Sequence, residues 1–181
     1  MSEKINRDRT LVRYFQREIE RQCQFAMISL QDMDQATEEG NGIFFWYSVQ
    51  SLFVSVGRVS RMLWPEDPSQ PELREELRRS LDVAGESPII PPEVISKFED
   101  FDLVLEAWYT SSEARRFFDL YTEPLDVLGE TGPGDRFRGY HTENKAVLFN
   151  GEAYPTAPIS RFVEELAVRA AHELAKPRFD T

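Results

Sequence analysis

The sequence predicts a mainly α-helical protein, a bundle of four or five helices with a small β-hairpin before the C-terminal helix. Long stretches of the chain repeat apolar residues every three or four positions, which is typical of helices with one buried face. Clusters of proline and glycine separate these stretches. The length of 181 residues predicts a single helical domain over residues 1–181, with the hairpin at about 136–151 as an insertion.

Four helices are predicted before the hairpin. The first, from about 6 to 35, contains neither glycine nor proline and ends in a loop at Gly40. The second, from about 42 to 64, is the most apolar stretch, and we expect it to be buried on most of its circumference. The third is short, near 71–82, and the fourth runs from about 92 to 110 after a pair of prolines.

The C-terminal part contains the hairpin and the closing helix. Residues 122–135 are rich in glycine and predict a loop. Two short strands, 137–141 and 146–150, are predicted on either side of a four-residue turn. A lead-in that contains prolines then introduces the last helix, from about 159 to 176, and Pro177 ends it.

The composition limits the classes of function. With 32 acidic and 21 basic residues, the formal net charge of −11 disfavours binding to a long nucleic acid. The single cysteine, Cys23, excludes a disulfide framework and a cysteine-rich zinc site, and it favours a reducing, cytoplasmic location. No signal peptide is expected, because the first eight residues are mostly polar, and no membrane span is expected, because polar and charged residues interrupt the apolar second helix. His141 and His172 lie in no metal-ligand spacing, so neither a metal nor another cofactor is expected.

Two helix faces are candidate contact surfaces. On the first helix an arginine recurs at every fourth position. This stripe could bind an acidic partner, a second subunit or a short nucleic acid, although a solvent-exposed face paired with acidic residues is the more economical interpretation. On the second helix, small residues and an arginine share a face that another helix could approach closely. The stripe contains Arg9, Arg13, Arg17 and Arg21, and the second face contains Ser48, Ser51, Ser55 and Arg58, with Arg61 nearby.

The fourth helix resembles a signature of a known family. The segment SPIIPPEVISKFEDFDLVLEAW, residues 87–108, is similar to HEPN-like (higher eukaryotes and prokaryotes nucleotide-binding) proteins, in which Ser-Pro-Leu precedes a helix reading Arg-Asn-x-Phe-Glu-His-Phe-Asp and then a Trp. The core FEDFD, residues 98–102, matches except at the histidine. Residues 44–65 and 73–83 resemble the preceding helices of the family. The resemblance covers most of the chain and implies a helical homodimer formed through helices two and four.

The chain departs from this family at the positions that cleave RNA. Family members that cut RNA use an arginine and a histidine five residues apart, without a metal. The corresponding positions here are Ile95 and Asp100, and Ser96 replaces the family's asparagine. Asp100 is an anion at neutral pH and cannot donate a proton, and Ile95 cannot stabilise a developing negative charge. Glu99 and Asp102 keep the acidic positions of the motif, so the resemblance predicts a member without this ribonuclease site.

The resemblance therefore implies a non-catalytic binding or regulatory protein. Its context would be a prokaryotic toxin–antitoxin, phage-defence or nucleotide-sensing system. At the dimer interface, Ser96 and Asp100 would face the second helix, and Arg58 or Arg61 would meet Asp100 within or across subunits.

Two alternatives remain open. The first is a metal-independent ribonuclease with a relocated site at Arg136, Arg138, Tyr140 and His141. Arg136 and His141 are five residues apart, but on a strand an odd offset points two side chains to opposite faces. The second alternative is a helical nucleotide or small-molecule binder. Its pocket would lie between helices two and four and would be lined by Trp46, Tyr47 and Trp108, although such aromatic residues more often belong to a core.

Overall fold

The protein is mainly helical, with a small sheet near its C terminus, as predicted. A computed structural model describes residues 2–66, 69–83, 95, 98–113, 117–123, 135–149 and 152–177, with side chains from Arg9 onwards except that of Glu123. The described helices are α1 (Ser2–Glu39), α2 (Gly42–Leu63), α3 (Pro71–Ser80), α4 (Phe101–Ser111) and α5 (Thr156–Ala175). The described strands are β1 (Tyr121–Glu123), β2 (Arg138–His141), β3 (Ala146–Phe149) and β4 (Glu152–Pro155).

The long helix α1 packs against both α2 and α5 and forms the main core with them. It extends a few residues beyond both predicted ends. Its buried face includes Ile19, Cys23 and Ala26, which follow the predicted spacing of three or four residues. Gly40 ends the helix region with a φ of +66°, a conformation that favours glycine. Asn41 then caps α2 by accepting the backbone N–H of Phe44 at 3.1 Å.

Arginine side chains of α3 hold the C-terminal end of α2. Arg74 Nη1 donates to the carbonyl oxygen of Met62 at 2.9 Å, and Arg78 Nη1 donates to that of Leu63 at 2.6 Å. The last carbonyl groups of a helix have no donor within the helix and lie at the negative end of its dipole. Two arginines that lie one helical turn apart on α3 therefore stabilise the C-terminal end of α2 and its connection to α3.

The sheet has four strands, two more than the predicted hairpin. The predicted strands correspond to β2 and β3, which pair antiparallel around the turn 142–145. Strand β4 adds antiparallel to β3 within the predicted lead-in, and β1 adds parallel to β2 at the start of the predicted loop. A Cβ at Gly139 would lie 2.3 Å from the ring of Tyr121, so this glycine lets β1 approach β2. Such short edge strands show no clear alternation of apolar and polar residues. They form because they pair with a neighbouring strand, so the local sequence does not predict them.

The fourth helix is not continuous from 92 to 110, which corrects the prediction. Residues 95, 98 and 99 are helical, but Asp100 has φ −98° and ψ 46°, and α4 begins after it. The other residues of 92–97 lie outside the described residues. Phe98 stacks on Phe53 of α2 with ring centroids 4.3 Å apart, while Trp108 packs in a second cluster near the sheet. The apolar spacing continues across the bend, so the periodicity does not reveal it.

An aromatic cluster joins α4 to the sheet. Phe137 is fully buried at its centre, and its ring centroid lies 5.4 Å from that of Phe101 and 5.3 Å from that of Phe149. Trp108 and Phe117 close the cluster, with centroids 6.1 Å and 5.2 Å from Phe137. Edge-to-face and tilted ring pairs of this kind add stability beyond the area that they bury. Phe98 links the cluster to the main core, because its ring centroid lies 4.3 Å from that of Phe53 and 4.9 Å from that of Phe149.

Candidate functional site

The family's arginine position holds a core residue in this chain. The Ile95 side chain is 1% exposed and packs against Gly57 in the middle of α2. A Cβ at Gly57 would lie 2.5 Å from Cγ2 of Ile95, so the two segments are in direct contact. A side chain in this position cannot reach a phosphodiester in solvent.

An arginine of α2 was predicted to contact Asp100, but in the structure Arg61 pairs with the neighbouring carboxylate of Glu99. Both terminal nitrogens of Arg61 donate to Glu99 in the same chain, and Nη1 lies 3.0 Å from Oε1. The hydrogen bond to Glu99 is the largest cause that raises the pKa of Arg61, and the nearby charge of Asp100 acts in the same direction. Arg58 and Asp102 are exposed, and Ser96 lies outside the described residues. Glu99, which the family motif makes a site residue, therefore forms a surface ion pair here.

The predicted small-residue face of α2 lies inside the chain. Ser48 and Ser55 are 1% and 5% exposed, and Ser48 Oγ donates to the carbonyl oxygen of Phe44 at 2.8 Å. Ser51 is half-buried, whereas Arg58 is exposed. These serines do allow close packing, but the packing is within the monomer. Ser48 and Ser55 are therefore not available to a second copy of the chain.

Two residues of the relocated ribonuclease site have structural contacts. Arg138 Nε donates to Asp119 Oδ1 at 2.8 Å, and the guanidinium lies 4.4 Å from the ring centroid of Phe101. Tyr140 is 6% exposed and packs on Phe45 with ring centroids 4.7 Å apart. Burial is the main cause that raises the pKa of Tyr140. Both side chains therefore hold the sheet to the helices.

The other two residues of that site lie at the two ends of one extended segment. Arg136 precedes β2 and forms a parallel bridge with Phe118. His141 is the last residue of β2, and its Nδ1 accepts the backbone N–H of Asn144 at 3.3 Å. This hydrogen bond belongs to the turn that follows the strand.

Arg9 and Arg13 of the predicted arginine stripe line a cleft of about 340 Å³ where α1, α3 and the end of α5 meet. Arg17 and Arg21 do not line it; Arg21 pairs with Glu18 at 2.8 Å. The stripe thus divides into two residues that face a concave surface and two that face outwards. The other polar side chains of the cleft are Gln16, Glu76, Ser80, Glu173 and Lys176.

The floor of this cleft is an ordered polar contact. Val12 and Gln16 are 5% and 4% exposed. Gln16 Nε2 donates to Ser80 Oγ at 2.9 Å, and Ser80 Oγ donates to the carbonyl oxygen of Leu77 at 2.8 Å. The contact ties α1 to α3, so the cleft has a floor that is already formed. Preformed concave surfaces with a few polar groups are typical ligand sites.

The charges around the cleft favour an anion. Arg13 Nη2 donates to the carbonyl oxygens of Leu174 and Lys176 at 2.8 and 3.2 Å, which fixes the guanidinium at the end of α5. Lys176 pairs with Glu173, so that carboxylate is already neutralised. Since Lys176 and Glu173 offset each other, Arg9 and Arg13 stand against Glu76, and the lining carries a formal charge of +1 in a chain whose formal net charge is −11. Cationic charge is therefore concentrated locally, against the sign of the whole protein.

The three aromatic residues of the alternative pocket lie in three different environments. Trp108 belongs to the cluster at the sheet, and Trp46 packs edge-on against Phe45 at the main core. Tyr47 is 65% exposed. These positions do not form a shared aromatic pocket.

The thiol of Cys23 is a core group. Cys23 is fully buried, and this burial, with a smaller contribution from the charge of Glu20, raises its pKa to about 12. A thiol with this pKa is protonated at neutral pH and is not a nucleophile. Within the part of the chain that the structure describes, no three His, Cys, Asp or Glu side chains converge as metal ligands. Across the same residues, no helix has the length and apolar character needed to cross a membrane.

Comparison with family models, with curated proteins and with solved structures gave no match to this chain. The resemblance to HEPN-like proteins therefore rests on the residues of the fourth helix and its neighbours alone.

The sequence indicated only the residues that α1 contributes to the cleft. The spacing of Arg9 and Arg13 pointed to a shared face, but Glu76, Ser80 and Glu173 come from helices far away in the chain. Gln16 carried a weak signal, because it is a polar residue close to the buried face of a predicted helix. No local pattern indicates that these helices meet at their ends.

Proposed function

We propose that this protein is a non-catalytic, HEPN-like binding protein that holds a small anionic ligand in the cleft between α1, α3 and α5. The observation that carries the proposal is the polar cleft itself, with Arg9 and Arg13 beside a hydrogen-bonded floor. The burial of Ile95 against Gly57 and the Glu99–Arg61 pair support the non-catalytic part. The resemblance implies a cytoplasmic, prokaryotic setting in toxin–antitoxin, phage-defence or nucleotide-sensing systems, with a homodimer or another protein as partner.

The cleft suits a small molecule with a phosphate or carboxylate group. Its volume of about 340 Å³ lies at the low end of the range for small-molecule sites. Arginine binds such groups well, because its planar guanidinium matches their oxygen atoms. A nucleoside monophosphate fits this class and agrees with the nucleotide-sensing context that the resemblance implies.

We expect AMP to bind wild-type protein in isothermal titration calorimetry, and Arg9→Gln to weaken the affinity roughly tenfold or more through the loss of one charge-assisted contact. Arg17→Gln is the matched control, since it removes the same charge from an exposed position on the same helix outside the cleft. Inorganic phosphate and succinate, titrated separately, show whether the anionic group alone is recognised. Equal affinity of Arg9→Gln and wild type, or silence with all three probes, would contradict the cleft as the ligand site.

The non-catalytic part is tested with RNA. Purified protein incubated with mixed cellular RNA, with and without EDTA, should leave the RNA intact over hours. Cleavage that persists in EDTA and disappears in His141→Ala would instead establish the relocated ribonuclease, with Arg136→Ala as the second variant. Cleavage that both variants retain would also overturn the non-catalytic proposal, and it would show that neither His141 nor Arg136 is required for it.

A further inference from the structure

The outer face of α1 carries large apolar side chains in contact with solvent. Tyr14, Phe25 and Ile28 are 61%, 45% and 53% exposed. The same helix buries its other faces against α2 and α5. Exposed apolar residues that lie singly on a surface need no explanation, so these three are informative only through their spacing along the helix.

These side chains belong to a regular heptad pattern. Six positions follow each other at alternating spacings of three and four residues, which is the spacing of a coiled-coil contact line. We call these residues the α1 seam, and it extends for about 25 Å along the helix. The α1 seam consists of Leu11, Tyr14, Glu18, Arg21, Phe25 and Ile28.

We propose that the α1 seam pairs antiparallel with the α1 seam of a second copy, about a two-fold axis that passes between Ile19 and Glu20. In this register Tyr14 lies opposite the partner's Phe25. Leu11, which is half-buried against the main core of its own chain, lies opposite the partner's exposed Ile28. Glu18 lies opposite the partner's Arg21. Every apolar side chain of the seam thus meets an apolar side chain, and every charge meets the opposite charge. A self-complementary patch of this kind is what a two-fold symmetric interface requires.

Other arrangements of the same two helices are unfavourable. A parallel pair puts Arg21 against the partner's Arg21 and Glu18 against the partner's Glu18. A shift by one heptad in either direction puts Arg21 against the partner's Leu11 or against the partner's Phe25. Like charges, or a charge facing an apolar group, disfavour these registers. The sequence of the seam therefore selects both the antiparallel orientation and the position of the axis.

The charged centre of the seam is already ordered in the monomer. Arg21 Nη1 lies 2.8 Å from Glu18 Oε2, and Gln22 Nε2 donates to Glu18 Oε1 at 2.7 Å. Both charged side chains remain about half exposed, at 53% and 40%. Pairing two copies would join two such ion pairs into a ring of alternating charge. This surface is open to a second copy, unlike the buried Ser48 and Ser55 of α2.

Sedimentation velocity on the full chain, at concentrations up to about 100 μM, tests the pairing. We expect a concentration-dependent dimer, and we expect Arg21→Glu to weaken it at least tenfold because four carboxylates then meet at the axis. The double variant Glu18→Arg with Arg21→Glu restores opposite charges and should restore the dimer. Arg58→Glu makes the same change at an exposed position of α2, outside the seam, and should remain dimeric. A monomer at every concentration, or a dimer that Arg21→Glu leaves unchanged, would overturn the proposal.

Disulfide trapping tests the orientation separately. Tyr14→Cys and Phe25→Cys, each prepared in a Cys23→Ala background, should cross-link when the two proteins are mixed and oxidised. Each variant alone should remain uncross-linked, because residues 14 and 25 are far apart along the helix. Efficient cross-linking of either variant with itself would show a parallel pair and contradict the antiparallel register.

Discussion

Replacing Phe137 with alanine is expected to lower the free energy of unfolding by about 3–5 kcal/mol, the largest effect of a single truncation that we predict. Phe137 is fully buried, and four aromatic rings surround it. The truncation leaves a cavity in the aromatic cluster that packs α4 against the sheet. Because the surrounding rings already pack against one another, they can fill little of that space.

Urea unfolding followed by circular dichroism measures this loss. Phe117→Ala is the matched control, because Phe117 belongs to the same cluster but is 45% exposed, and we expect it to cost about 1 kcal/mol. In a background with Trp46 and Trp64 replaced by phenylalanine, the fluorescence of Trp108 should shift to the red in Phe137→Ala before global unfolding. Equal losses for the two variants would show that Phe137 is not the centre of the cluster.

Introducing an arginine at position 95, which corresponds in the resemblance to the arginine of HEPN-like nucleases, is expected to destabilise the protein strongly rather than create a nuclease. In Ile95→Arg a guanidinium replaces a side chain that is 1% exposed and in contact with Gly57. Glu99, the nearest acidic residue of the motif, is already bound by Arg61. A buried charge without a partner costs roughly 3–5 kcal/mol or more, which is a large part of the stability of a domain of this size.

The measurement is the thermal unfolding midpoint together with RNA cleavage. Ile95→Val is the control, since it keeps an apolar branched side chain and should cost only about 1 kcal/mol. Ile95→Arg should lower the midpoint far more and should not cleave RNA. A well-folded Ile95→Arg protein with an unchanged midpoint would mean that position 95 is open to solvent, and it would remove the main support for a non-catalytic protein.

The features that could be predicted are those encoded by neighbouring residues. The apolar spacing of three or four residues predicted that α1 has one buried face, which includes Ile19, Cys23 and Ala26, and Gly40 predicted the loop that ends this helix. Both are local effects of backbone geometry and side-chain period. The turn between β2 and β3 was also predictable, because its residues lie between two segments of strand-forming sequence.

The candidate site was predictable only in part. Arg9 and Arg13 were singled out by their spacing, yet the spacing of the whole arginine stripe did not distinguish them from Arg17 and Arg21. What separates them is the position of α3 and α5 relative to α1, which brings Ser80 and Lys176 beside two of the four arginines. Such a meeting of distant segments leaves no periodic signal in the chain.

Local sequence patterns were enough to predict the mainly helical class and the buried stripes of α1, α2 and α5. They also place Ile95 and Asp100 at the positions that, in the resemblance, correspond to the arginine and histidine of HEPN-like nucleases. Packing between distant segments of the chain sets the bend at Asp100 and the pairing of Arg61 with Glu99. It also decides that two short edge strands complete the sheet. These features differ in how far apart the interacting residues lie along the chain. Helix periodicity and caps depend on residues within a few positions, whereas bends, ion pairs and edge strands depend on partners tens of residues away.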